Sequence, residues 1–261
     1  MEMRQIEFAH RAKEILETDA DIIGLAVGGS WISDQMDAFS DLDLIIVTKD
    51  KVSDRKDKMM AYAKRLGKLL SGFTGEHLGE PRLLICLYDQ PLLHVDIKFV
   101  TTGEFGHRIE TPVILFDRAG RLQSLLESSL PVFPYPDYQW IEDRFWTWIH
   151  YALLKVGRGE YFEALDFLSF LRVTVLGPLL HIKYGNLPRG VRKVEKELDS
   201  TALEMLQQTV PVYEKHSILA SLKNAVDLYK ELSAELFNNA IQPQTQTQQR
   251  VMLYFGEIEN K

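Results

Sequence analysis

The chain has 261 residues, 46% hydrophobic and 26% charged, proportions that can bury one large core or two medium ones. Its formal net charge of -7 supplies no sequence-wide positive field for a nucleic acid or an anionic membrane, so neither is expected as a partner; a small or cationic substrate fits better. The first sixteen residues mix charge into every turn and hold no apolar core of signal-peptide length, and nowhere do roughly 18 uninterrupted apolar residues offer a membrane span. Cys86, the only cysteine, lies in the apolar run Leu83 to Tyr88 and reads as a buried, inert thiol in a cytoplasmic chain.

In chain order, Ile22 to Val27 is an apolar run that ends in Gly28-Gly29-Ser30, a buried strand entering a tight turn. Asp41 to Thr48 is a second strand. Between Asp54 and Ser71 the residues Met59, Ala63, Leu66 and Leu70 recur at helical spacing. Arg82 to Tyr88 and Leu92 to Val100 are two strands joined by the turn Asp89-Gln90-Pro91, hence a hairpin. Pro131, Pro134 and Pro136 forbid a continuous helix and place a domain boundary nearby, giving 1–130 and 131–261. Beyond it the pattern is helical: Ile141 to Ala152 up to a break around Gly157-Arg158-Gly159, then Phe162 to Val175, then Ile218 to Leu236. Gln242 to Gln249 reads as a linker, with Val251 to Phe255 docking back. The expected class is α+β: a mixed sheet flanked by helices, then a helical bundle.

The chemistry concentrates in Gly28-Gly29-Ser30 and, after ten intervening residues, Asp41-Leu42-Asp43 before the apolar run Leu44 to Val47. Side chains alternate along a strand, so Asp41 and Asp43 project together. Paired carboxylates repel unless a cation sits between them, and hard oxygens suit magnesium. In His94-Val95-Asp96-Ile97-Lys98 the polar residues share one face, so Asp96 joins Asp41 and Asp43 if the two strands are neighbours. Three carboxylates suffice for two metal ions. The glycines let phosphate approach the backbone, where N–H groups and the Ser30 hydroxyl can hold it. A plain ion pair with Lys98 is the alternative for Asp96, and His94 stays unassigned.

This pattern resembles the DNA polymerase β-like nucleotidyltransferase superfamily, whose signature is a Gly-Ser turn, a short helix and a D-x-D strand. Gly29-Ser30, the Trp31 to Ser40 segment and Asp41-Leu42-Asp43 match it, with Asp96 as the later third acid. The second half, with Trp148, Lys155 and Gly159-Glu160-Tyr161, is similar to the C-terminal domain of aminoglycoside and other antibiotic adenylyltransferases. The resemblance implies a catalytic domain over 1–130 and a helical domain over 131–261 that closes on the nucleotide. It implies ATP or another NTP as substrate, two Mg2+ ions, and a small-molecule hydroxyl as acceptor. Asp41, Asp43 and Asp96 would be the metal ligands and catalytic groups, and Gly28, Gly29 and Ser30 would bind the nucleotide. Lys155, on one helix face with Trp148 and Ala152, would clamp phosphate; otherwise its stem lies over the core while the ammonium reaches water.

Two other functions stay open. One is a non-catalytic or regulatory nucleotide-binding or antitoxin-like protein; the other is a nucleotidyltransferase that modifies a protein. The stripe of Trp140, Phe145, Trp146 and Trp148 reads as core, and the run Arg189, Arg192, Lys193 and Lys196 as a solvated face. Glu160, Glu163 and Asp166 read as helix-start acids that could also attract a cationic acceptor. The sequence contains no G-x-x-x-x-G-K-[ST], H-E-x-x-H or G-x-S-x-G motif.

Overall fold

The computed structural model describes residues 3–33 and 35–260, so Met1, Glu2, Asp34 and Lys261 fall outside the described residues. The chain divides into two compact units, 1–133 and 134–261. The architecture is α+β.

The first unit runs α1 (Arg4–Glu17), β1 (Ile22–Val27), β2 (Leu42–Thr48), α2 (Lys56–Leu66), β3 (Lys68–Gly75), β4 (Glu80–Asp89), β5 (Leu93–Thr101), α3 (Thr102–Phe105), β6 (Val113–Asp117) and α4 (Arg121–Ser128). Its six strands form one mixed sheet in the order β3-β4-β5-β2-β1-β6. Among the described residues β2 and β5 alone pair in parallel; the other pairs are antiparallel. The expected hairpin is β4–β5, with Tyr88 opposite Leu93 at its closed end.

Each face of the sheet has its own core. Leu42, Leu44 and Ile46 of β2 and Val95, Ile97 and Phe99 of β5 join Phe8, Ala9, Ala12 and Leu16 of α1 and Met59, Ala63 and Leu66 of α2. Each such large side chain contributes about 1.5–3 kcal/mol by leaving water. Cys86 lies in this core, and burial pushes its thiol up to about 12, which disfavours the reactive thiolate. On the other face Ile23, Ala26, Val47 and Val100 pack against Phe105 of α3 and Leu122 of α4. Gly24 permits that contact, because a Cβ there would come within 2.6 Å of Leu122 Cδ2.

Two strands depart from the sequence expectation. The apolar spacing that begins at Met59 ends with the helix at Leu66, and Leu70 belongs to β3. Gly67 breaks the helix with an extended backbone, and Leu70 is half exposed on an outer strand. β6, which closes the opposite edge beside β1, carries the apolar run Val113-Ile114-Leu115-Phe116, not among the expected strands, and none of its residues is fully buried.

The second unit is helical: α5 (Tyr138–Arg158), α6 (Tyr161–Leu171), α7 (Gly177–Lys183), α8 (Val194–Glu197), α9 (Ser200–Gln207), α10 (Lys215–Leu236) and α11 (Thr245–Glu259). A π-turn, Arg172–Leu176, joins α6 to α7. The resulting stretch Tyr161–Lys183 is long and apolar enough to cross a membrane by length and composition, yet half of its most apolar window is buried within the protein. Residues 242–249, expected as a linker, instead lead into and form the start of α11, whose Val251, Phe255 and Ile258 are buried against the core built by α5 and α10. Three anchors at helical spacing suffice to dock a helix whose other faces stay polar.

Candidate active site

Strand register decides where the acids fall. Asp43 pairs with Asp96 across the parallel β2–β5 ladder, and adjacent strands run about 4.8 Å apart. Leu42, Leu44, Val95 and Ile97 enter the core beneath α1 and α2, so the pleat sends Asp43 and Asp96 together to the opposite face. Asp41 lies ahead of the first residue of β2. The loop that delivers it is tied down by Gln5 of α1, whose buried side-chain amide donates to Asp37 O at 3.0 Å and Ser40 O at 2.7 Å.

The Asp96 carboxyl is raised above its ordinary range, chiefly by burial; His94 beside it pulls the other way, and the Asp41 charge adds to the rise. His94 Nε2 is 3.0 Å from Asp96 Oδ1. The alternative partner, Lys98, turns instead to Glu80 Oε2 at 2.8 Å. Glu80 also accepts two hydrogen bonds of 2.7 Å from Arg82, and these neighbours hold its carboxyl down at about 2. The two cations Lys98 and Arg82 on the β4–β5 ladder are therefore already matched by Glu80 and Glu104.

The glycine turn meets the same acids. Gly28 N–H donates to Asp43 O at 3.0 Å, which fixes the end of β1 against the start of β2. Gly29 has φ +61°, a left-handed conformation that glycine adopts without strain. A Cβ on Gly29 would come within 1.9 Å of Asp43 Oδ2, and one on Gly28 within 2.9 Å of Glu110 Oε1. Two carboxylates thus press on a turn that only glycines leave open.

The short helix expected over Trp31 to Ser40 is reduced to one 3-10 turn, Gly29–Trp31. Ile32, Ser33 and residues 35–40 are turns and irregular chain, and Asp34 lies outside the described residues. Ser30 falls within that turn. Gly28, Asp43, Asp96, Lys98, Arg108 and Glu110 are among the residues lining a cleft of about 190 Å³ on the α3/α4 face.

Glu110 had no signal in the sequence. It sits in the irregular segment between α3 and β6, 81 residues from Gly29, yet its Oε1 accepts the Gly29 N–H at 2.8 Å. Only the tertiary fold brings the two together.

Asp43 and Asp96 are hard oxygen donors on neighbouring strands, and one of them is raised by burial. A divalent cation relieves that kind of charge, and magnesium commonly takes one or two carboxylates and completes its shell with water and phosphate. Among the described residues no group of three or more His, Cys, Asp or Glu side chains is set to hold a metal ion by itself.

Lys155 belongs to the second unit. Its ammonium lies 2.8 Å from Glu160 Oε2 and 2.5 Å from Glu163 Oε2 and 5.0 Å from the Tyr151 ring centre. Hydrogen bonds to the two glutamates raise its pKa. The lysine on an apolar face thus has the partners whose absence would have made it costly, and Glu160 and Glu163 are not an unmatched acidic patch.

No family model matches the chain, and no curated protein matches it. In structure it is similar to an aminoglycoside 6-adenyltransferase from Bacillus subtilis, 15% identical, with a TM-score of 0.44 over 100% of this chain and 98% of the other. It is also similar to a nucleotidyltransferase-like protein from Exiguobacterium sibiricum 255-15, 15% identical, with a TM-score of 0.35 over 89% of this chain and 78% of the other.

Proposed function

We propose that this protein is a magnesium-dependent nucleotidyltransferase that moves a nucleoside monophosphate, AMP from ATP in the first instance, onto a hydroxyl of a small molecule. The observation that carries the reading is the lateral pairing of Asp43 with Asp96 beside the Gly28-Gly29 turn, in one cleft. Asp43 and Asp96, with Asp41 entering from the preceding loop, would hold the metal ions. Bound there, magnesium would neutralise phosphate charge and polarise the α-phosphoryl group.

The glycine turn would receive the phosphates, with Gly28, Gly29 and Ser30 as the nearest groups. The acceptor oxygen forms a bond to the α-phosphorus as the bond from that phosphorus to the bridging oxygen breaks. Pyrophosphate leaves with the electron pair, and Asp96 would either complete the metal site or take the acceptor proton. Lys155 is retained as a phosphate ligand only in competition with Glu160 and Glu163, which already hold it.

For the acceptor, the net charge of -7 favours a cationic small molecule of the aminoglycoside type over a polyanion. The single buried thiol fits a cytoplasmic setting.

The test combines ATP labelled at the α-phosphate, Mg2+ and a panel of aminoglycosides, lincosamides, nucleosides, tRNA and the protein itself. Label should appear on a small molecule, and folded Asp43→Asn and Asp96→Asn proteins should lose transfer. His94→Ala, at a half-exposed ring, should retain most of it. Full activity in folded Asp43→Asn overturns the metal assignment. Label confined to tRNA or to protein side chains overturns the small-molecule acceptor.

A further inference from the structure

We propose that Glu110 is an internal plug of the phosphate turn, which makes nucleotide binding depend on the divalent cation. The inference rests on the nucleotidyltransferase reading above. Backbone N–H groups around a left-handed residue form a natural anion site, and here that site already holds an anion. Glu110 Oε1 takes the Gly29 N–H at 2.8 Å and lies so close to Gly28 that a Cβ there would sit 2.9 Å away. The carboxylate therefore occupies, from inside the chain, the position a phosphate oxygen would need. Glu110 also lines the cleft that holds Asp43 and Asp96, so the plug and the proposed metal ligands share one space.

Charge gives the coupling. A triphosphate without its metal would have to displace one carboxylate from the turn and then lie beside it, next to Asp43 and Asp96. Lys98, the nearest cation on β5, is engaged by Glu80, and Arg108, which also lines the cleft, is anchored on Gly106, Leu126 and Ser129; its single charge lowers the repulsion from three carboxylates without removing it. Magnesium held by Asp43 and Asp96 would offset that charge, and the exchange of one anion for another at Gly29 would then be nearly even. Glu110 is thus a gating residue: it touches the turn and prevents metal-free nucleotide from taking the site.

The experiment is calorimetric titration of the full chain with α,β-methylene-ATP, in Mg2+ and separately in EDTA, for wild type, Glu110→Gln and Glu110→Asp. Inorganic tripolyphosphate serves as a second probe. Wild type should bind the analogue in Mg2+ and far more weakly in EDTA. Glu110→Gln should bind it at least about tenfold more tightly than wild type in EDTA, since a neutral amide competes less well for the Gly29 N–H. Its affinity in Mg2+ should change little. Glu110→Asp keeps the charge but draws it back from the turn, and should fall between the two. It also carries the test should Glu110→Gln fail to fold.

Equal metal-free affinity in wild type and the variants overturns the plug while leaving the nucleotide reading intact. Weaker binding by the variants in Mg2+, with metal-free affinity unchanged, would make Glu110 a ligand and not a gate. If no form binds the analogue in Mg2+, the nucleotidyltransferase reading falls, and this inference falls with it.

Discussion

The Asp43 carboxylate lies directly over Gly29: a Cβ there would come within 1.9 Å of Oδ2 and 2.9 Å of Cγ. Gly29 also has φ +61°, a region that costs an L-residue about 1–2 kcal/mol. Gly29→Ala should therefore lose about 1–2 kcal/mol of stability from the backbone alone. The larger effect should fall on function, because the new methyl must push Asp43 out of its place beside Asp96. Melting and nucleotidyl transfer measured on one preparation decide it. Transfer near the wild-type rate in a folded Gly29→Ala protein would show that the position of Asp43 is not critical.

Much of this arrangement was legible in the residues. Gly28-Gly29-Ser30, Asp41-x-Asp43 and the alternation around Asp96 located the acids, because strand periodicity is strict and charged residues interrupt apolar runs. The pairing itself was conditional on β2 and β5 being neighbours, and the parallel register of Asp43 with Asp96 meets that condition. Glu110 was not legible, since a contact 81 residues away leaves no local pattern. Nor was the end of α2, where the spacing at Met59, Ala63 and Leu66 ran by coincidence into Leu70 of β3. The glutamines of residues 242–249 concealed α11 because only Val251, Phe255 and Ile258 of that helix are buried.

Acid should weaken the first unit through Glu80. Its carboxyl is held at about 2 against an ordinary value of 4.5, first by the hydrogen bonds from Arg82 and then by Lys98. A carboxyl lowered in the folded state stabilises it fully above the unfolded value and loses that contribution as pH falls toward the folded one. The window is therefore from about 4.5 down to about 2. Glu80→Gln should be less stable than wild type at pH 7, and the difference should narrow across that window. Melting curves at intervals between pH 7 and pH 2 supply the comparison; a constant difference would mean that Glu80 is not titrating as the geometry requires.

Lys155 gives a sharper division between support and function. Its ammonium links α5 to Glu160 and Glu163 at the start of α6, across the turn capped by left-handed Gly159. Lys155→Ala should lower the melting temperature, and the double variant Glu160→Gln/Glu163→Gln should do the same by removing the other half of the contact. Affinity for a non-hydrolysable NTP in Mg2+ should stay within about twofold in both variants if Lys155 only supports α6, whereas a phosphate-binding Lys155 released from the two glutamates should bind it more tightly in the glutamate variant. A loss of affinity in Lys155→Ala of tenfold or more, about 1.4 kcal/mol, without a change in melting would return the lysine to the phosphates.

The core of the second unit holds a buried acid, Glu142, only 6% exposed. It is satisfied from three directions: Tyr229 O–H donates to Oε2, the Trp146 indole N–H to Oε1 at 3.4 Å, and the Gln244 backbone N–H to Oε1 at 2.8 Å. Gln244 is the residue that caps α11, so a side chain of α5 fixes where the last helix begins. Phe145 stacks on the Tyr229 ring with centroids 3.6 Å apart, which leaves the phenol little freedom to turn elsewhere. Tyr229→Phe keeps the ring and removes one donor, and should cost about 1–3 kcal/mol because the carboxylate stays buried and short of a partner. Glu142→Ala strands all three donors and should cost more. Its distinguishing sign should be local: amide exchange at Gln244, whose N–H Glu142 accepts, and at Gln248, bonded to Gln244 O, should accelerate beyond the general loss of stability, whereas Tyr229→Phe should leave both protected. Were both variants to raise exchange there equally, the Gln244 contact would not be what holds α11, and the anchors Val251, Phe255 and Ile258 would account for its docking alone.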